Sequence, residues 1–195
     1  MDVEALLIVE VEGSEAEMDA MLASIIGIAG RHGVKVVKES QSATEAALIW
    51  KGRKSAFGAT GRIADYICMD GTVPLGQLSH VLRGTAEIVA KYGLRVANVF
   101  HAGDGNMHPL ILFNANDPED AARAEAAGND ILRLCVDAGG CLTGEHGVGI
   151  EKRDLMRHQY SDVDLAQQMA VRAAFDPQWL LNPSKVFPLE GRPAA

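Results

Sequence analysis

"NVFHAGDGNMHPLILF", residues 98–113, decides the fold and raises the question of function. Two apolar runs flank Asp104-Gly105, the dipeptide that favours a tight hairpin turn. If those two residues are the centre of a type I′ turn, Gly103 pairs with Asn106, Ala102 with Met107, and His101 with His108. Opposed residues share a face, with Cβ atoms about 5 Å apart. A wider four-residue turn would still leave the two histidines neighbours. A hairpin has no structural need of them. Either alone is read most simply as a satisfied core histidine; as a cross-strand pair they can converge on one metal ion, at about 2.1 Å each.

Working outward, "ALLIVEVEG" (5–13) reads as a buried strand and "HGVKVVKES" (32–40) as a strand with one wet face. Between them Ser14 and Glu17 form a capping box that predicts a helix over about 15–31. Ser42 and Glu45 open a second helix over 42–56. "ADYICMDGTVP" (64–74) reads as a strand ending in a turn, with a helix over about 75–92 beyond Pro74. After the hairpin comes "DPEDAARAEAAGNDILRLCVDAGG" (117–140), a helix with Asp117 as N-cap, Pro118 at its first position and Gly139-Gly140 as its stop. Two short helical patterns and a Pro-rich end close the chain. Strands and helices in this order do not make tight βαβ crossovers. They predict an α+β fold, an antiparallel sheet with helices largely on one face, ferredoxin-like.

The 195 residues suit one domain or two small ones fused, and no low-complexity linker divides them. A net charge of −8, with no Lys/Arg cluster, excludes a nucleic-acid surface. The longest apolar run, "MLASIIGIAG", is too short to span a bilayer, and the N-terminus lacks the order of a signal peptide. Three cysteines without a CxxC pair fit a reducing cytoplasm.

A second constellation, "CLTGEHGVGIEKR" (141–153), sets Glu145 and His146 between Gly144 and Gly147, with Gly149 beyond. Glycines so placed allow close backbone approach or φ > 0. Neither the phosphate-loop pattern nor the dinucleotide fingerprint fits this spacing. An exposed Glu-His pair in a loop is the plain alternative. The preferred reading makes Glu145 a third ligand beside His101 and His108, a His-His-carboxylate site with open positions, and leaves His146 for proton transfer. Two histidines and a carboxylate suit zinc, iron or manganese. A third stretch, "LIWKGRKSAFGATGR" (48–62), carries Arg53 on a predicted helix; it is either a solvated basic face or a carboxylate-binding arginine.

Taken together and in order, "HAGDGNMHP", "GEHGVGIEKR" and "NPSKVFP" resemble the C-terminal half of FAD-linked oxidases, a group that includes the glycolate oxidase flavoprotein subunit, D-lactate dehydrogenase and D-2-hydroxyglutarate dehydrogenase. "LIWKGRKSAFGATGRIADYICMDGTVP" looks closest to the glycolate oxidase D-subunit branch. The resemblance covers nearly all of residues 1–195 and implies the substrate, or cap, domain of that family. It implies FAD bound mainly by a preceding half that is absent from this chain, and hence an FAD-binding domain or subunit as partner. Other oxidase subunits are further expected partners, through which the cytoplasmic chain could associate with a membrane. By the same resemblance His101, His108 and Glu145 fall on metal ligands, His146 on the catalytic base and Arg53 on a substrate-carboxylate arginine. Asn106 would face the site, and Asn182 would lie near the flavin. A dicarboxylate-specific relative carries a lysine near the position of Cys68 and a hydroxyl residue where Phe57 stands; their absence points to a smaller 2-hydroxy acid, glycolate or D-lactate.

The expected reaction is oxidation of a 2-hydroxy acid to a 2-oxo acid with hydride passing to FAD, and the chain alone is expected to be inactive. Two rivals stand beside it: a free-standing divalent-metal hydrolase using the same ligands, and a non-catalytic assembly module. A domain separated from its partner is also expected to expose apolar surface and to self-associate through it.

Overall fold

The computed structural model describes residues 3–189, which divide into two compact units meeting at Arg53–Lys54. The first unit is built on two helices, α1 (Glu15–Arg31) and α2 (Ala43–Lys54), the latter ending at the boundary. Glu17 reaches back to the Ser14 N–H at 2.9 Å, so the predicted cap forms where expected. At α2 the Ser42 hydroxyl accepts the Glu45 N–H, but the Glu45 carboxylate takes the N–H of Gln41, one residue before the expected partner. The strands predicted over 5–13 and 32–40 do not form: among the described residues this unit has no β-ladder. Alternating valines supply strand propensity, but a ladder needs a partner with free N–H and C=O groups, and isolated short strands are marginal in water. Leu6, Leu7, Val36 and Leu48 are left exposed.

The second unit carries the sheet. After the short helix α3 (Ala56–Thr60) come β1 (Asp65–Cys68), β2 (Gly71–Thr72), α4 (Leu78–Lys91) and β3 (Arg95–Asn98). Then follow β4 (Asn106–Met107), β5 (Pro109–Phe113), α5 (Pro118–Asp137), α6 (Met156–Gln159) and α7 (Asp162–Phe175). Three antiparallel strands run in the order β1-β5-β3, and β2 pairs antiparallel with β4. Both ladders on that side share one register: Cys68 faces Leu110 and Gly71 faces Met107. The interruption between them therefore sets Met69 opposite Pro109 and Asp70 opposite His108.

The two faces of this sheet are chemically different. Met69, Gly71 and Met107 point to the helices, where Gly71 lies against Cys135 and Leu132, and Gly128 of α5 against Met69. Met69, Val81, Val89, Met107, Ile111, Ile131, Leu132 and Cys135 form the core there. Asp117 caps α5 by accepting the N–H groups of Glu119 and Asp120, as its sequence predicts. The opposite face carries Cys68, Asp70, Thr72, Asn106 and His108, since side chains alternate along a strand. This is the α+β architecture expected, with helices α4 and α5 on one face and polar residues on the other.

The hairpin register differs from the tight-turn expectation by two residues. His101 bridges to Asn106, not His108, with its N–H on the Asn106 carbonyl at 3.0 Å. Asp104 N–H bonds back to the His101 carbonyl, so the turn holds four residues, 102–105. Gly105, at φ 68 and packed on the Val73 carbonyl, occupies the one turn position where a side chain would collide with backbone. A two-residue shift keeps every side chain on its face. His101 and His108 remain neighbours, now on the diagonal.

Candidate active site

After α5 the chain returns beside β2: Thr72 and Cys141 exchange backbone hydrogen bonds, and the Gly144 N–H donates to the Asp70 carbonyl at 2.8 Å. This lays residues 141–146 along the polar face, next to Asp70 and His108. Gly144 is required by close approach, because a Cβ there would lie 2.6 Å from Asn106 Oδ1 and 2.8 Å from Thr72 Cγ2. Gly147 and Gly149 take positive φ instead, so both uses expected of these glycines occur in one loop.

His108 is the centre of the site and is 2% exposed. Its Nε2 lies 3.1 Å from Glu145 Oε1. The His146 ring stacks on it, with centroids 5.0 Å apart and planes 13° off parallel, and His146 Nε2 lies 3.9 Å from the same Glu145 oxygen. His101 meets His108 edge-on, with centroids at 5.5 Å, and Phe57 closes another edge at 6.1 Å. Burial, then the neighbouring His146, lowers the His108 pKa and favours the neutral imidazole, which is the form that ligates metals.

Ligand atoms of Asp70, His108, Glu145 and His146 all lie within 4.8 Å of one another, and so do those of Cys68, His108 and His146. Of the expected ligands His101, His108 and Glu145, only His108 and Glu145 fall within these groupings. Within them His146 stands against His108 and does not point away, while His101 lies outside, at their edge. Two buried polar atoms in the same region, His108 Nδ1 and Asn106 Oδ1, have no hydrogen-bond partner among the described residues. Two imidazoles, carboxylates and unsatisfied polar atoms are a set that a divalent ion or a polar ligand fits. Cys68 contributes a thiol, because burial, reinforced by Asp70, pushes its pKa up to about 11.

The other expected residues are distributed differently. Asn106 belongs to the site, on β4 and 8% exposed. Arg53 lies on α2 in the first unit, whereas the cluster is built wholly from the second. Asn182 is exposed in the segment after α7, with left-handed backbone at φ 44.

Sequence reasoning missed Asp70, the most buried carboxylate of the site. Its carboxylate accepts the Thr143 hydroxyl at 2.7 Å, the backbone N–H groups of Gly144, Glu145 and His146, and the buried Lys152 ammonium at 3.3 Å. Burial would raise its pKa, but these donors outweigh it and hold the carboxyl well below its ordinary range. In the sequence, "MDGTVP" looks like turn chemistry, so nothing local marks Asp70 as the hub.

Comparison with known proteins agrees on one group. The family model for FAD linked oxidases, C-terminal domain, matches residues 1–186. Glycolate oxidase subunit GlcD of Escherichia coli (strain K12) is 49% identical over 189 residues, covering 96% of this chain and 38% of that protein. Its Bacillus subtilis (strain 168) counterpart is 31% identical over 96% of this chain and 40% of its own length. The mitochondrial cytochrome D-lactate dehydrogenase of Kluyveromyces lactis is 31% identical over 91% of this chain and 31% of its own. The chain thus spans about two fifths or less of the length of these curated relatives.

Proposed function

Since the chain belongs to the family of FAD linked oxidase C-terminal domains, we propose that it is the substrate-binding and catalytic part of a flavin-dependent 2-hydroxy acid oxidase or dehydrogenase of the glycolate oxidase kind. The observation that carries this reading is the convergence of His108, Glu145 and His146 on one sheet face, beside two unsatisfied buried polar atoms. Its substrate would be a small monocarboxylate such as glycolate or D-lactate, and its partners an FAD-binding domain or subunit and other subunits of an oxidase.

When bound, FAD supplies the two-electron acceptor and a divalent ion (zinc, iron or manganese) lowers the pKa of the substrate hydroxyl. His108 and Glu145, with His101 at the edge, are the groups that would hold the ion. His146, on the exposed side of the stack, takes the hydroxyl proton on a ring nitrogen as the hydride departs. Asn106 orients the substrate from the floor of the site. The roles of Arg53 on the carboxylate and of Asn182 near the flavin rest on the resemblance alone.

The test is flavin reduction. With its FAD-binding partner present, the chain should bleach the flavin absorbance on addition of glycolate or D-lactate, and without that partner it should oxidise neither. His146→Asn should lower the rate of bleaching by about 10²- to 10⁴-fold while substrate affinity changes little. Bleaching at the normal rate in His146→Asn would remove His146 from proton transfer. Hydrolysis of esters or amides by the metal-loaded chain would favour a hydrolase instead.

A further inference from the structure

The first unit leaves two stretches of its chain without the partners that their residues require. Residues 5–12 and 35–38 belong to no helix or ladder, and among the described residues none of their backbone groups bonds to another backbone group. Both stretches are apolar and exposed: Leu7 is 74% exposed in the first and Val36 56% in the second. Their charges are opposite, with Glu10 and Glu12 along the first and Lys35 and Lys38 along the second. Unpaired N–H and C=O groups on an apolar, β-branched stretch are a template for another strand.

The two stretches complement each other in one antiparallel register. Setting Val9 opposite Val36 places Ile8 against Val37, Val11 against Val34 and Glu10 against Lys35. Leu7 then meets the aliphatic stem of Lys38, whose ammonium group pairs with Glu45 at 2.9 Å. A slip of one residue in either direction sets Glu10 against a valine instead. This pairing is closed to a single chain. Strands joined by one helix through short turns run parallel, and the turn after α1 is short, since the Val34 N–H still bonds back to Ala29. The parallel ladder that one chain could make is not formed.

We propose that these stretches bind a second copy of the chain, residues 7–11 of each copy pairing antiparallel with residues 34–38 of the other. The same two stretches are then used twice about a two-fold axis, so the assembly closes at two copies. Main-chain hydrogen bonds and the apolar pairs hold it, and the two Glu10–Lys35 contacts set its register. The charge match singles out a second copy over a different chain, because each copy carries both halves of it. The inference concerns the first unit alone and does not depend on the reaction proposed above.

The experiment is sedimentation equilibrium of the purified chain over a series of concentrations, with circular dichroism to confirm that each variant folds. Wild type is expected to be a dimer that dissociates on dilution. Glu10→Lys and Lys35→Glu each change an exposed side chain and set like charges opposite at both contacts. Each alone should weaken dimerisation about 10-fold. Mixed in equal amounts, the two variants should dimerise with wild-type affinity, because both contacts in the mixed pair are again between opposite charges. A wild-type chain that stays monomeric at every concentration overturns the proposal and leaves the stretches to a different partner; this result needs no variant to fold. Single variants as dimeric as wild type overturn it too. So does a mixture that associates no more tightly than either variant alone, the outcome of charges that pair within one chain. Growth to assemblies beyond two copies also overturns it, since the pairing would then not close.

Discussion

Gly144 has no room for a methyl group. Its Cα hydrogens face the Asn106 amide and the Thr72 methyl, and an added Cβ would sit 2.6–2.8 Å from both. Asn106 cannot retreat easily, since it is buried on a paired strand. Gly144→Ala is therefore expected to lower stability by about 1–3 kcal/mol, the usual range for overpacking, measured by urea unfolding. Stability equal to wild type would mean that the 141–146 segment shifts freely, and the site with it. Gly147 differs: nothing lies within 4 Å of its missing Cβ, and only its φ of 86 resists substitution.

At the scale of elements, the end of α7 shows how one carboxylate organises a segment without regular structure. Asp176 accepts the N–H groups of Leu180 and Leu181 at 2.9 Å each and pairs with Arg172, whose guanidinium lies 4.4 Å over the Trp179 ring. Burial acts to raise the Asp176 pKa, but the two N–H donors and Arg172 prevail and depress it. A depressed carboxylate contributes stability that is present above the unfolded-state pKa of about 3.9 and is lost as pH falls through the folded-state value. Wild type and Asp176→Asn should thus differ in urea midpoint near neutrality, and the difference should shrink as pH falls below the unfolded-state pKa of about 3.9. A constant difference across that range would show that the side chain's shape matters and its charge does not.

For the molecule as a whole, the two units differ in kind. None of the described residues of the first unit is buried, whereas the second holds the core between its sheet and α4 and α5. Protection from hydrogen exchange follows buried, hydrogen-bonded structure. Amides of Leu110, Ile111, Ile131 and Leu132 should exchange slowest, and those of α1 and α2 faster by orders of magnitude. Exchange in α1 as slow as in α5 would mean that its apolar residues are covered in solution, by self-association or by another chain. Among the described residues no helix is long and apolar enough to cross a membrane.

Helix positions were legible in the residues because caps and stops are local: Ser14 with Glu17, Asp117 with Pro118, and Gly139 each act within one turn of their own helix. The polar face was legible for a similar reason. Alternation assigns His101, Asn106 and His108 to one side for a turn of two residues or of four, so a register error of two residues cost nothing there. The strands expected in residues 5–13 and 32–40 failed because a strand is completed by a partner, which propensity does not supply. The His146 stack, the marginal place of His101 and the hub at Asp70 lay beyond the sequence for one shared reason. Residue 70 meets residues 108 and 143–146 only when three distant segments align in register. The sequence by itself determined where the histidines and carboxylates fall along the chain and, for the hairpin, on which face they lie. Tertiary structure alone decided which of them meet, because through-space distances between segments 38 and 73 residues apart are set by strand register and close backbone packing.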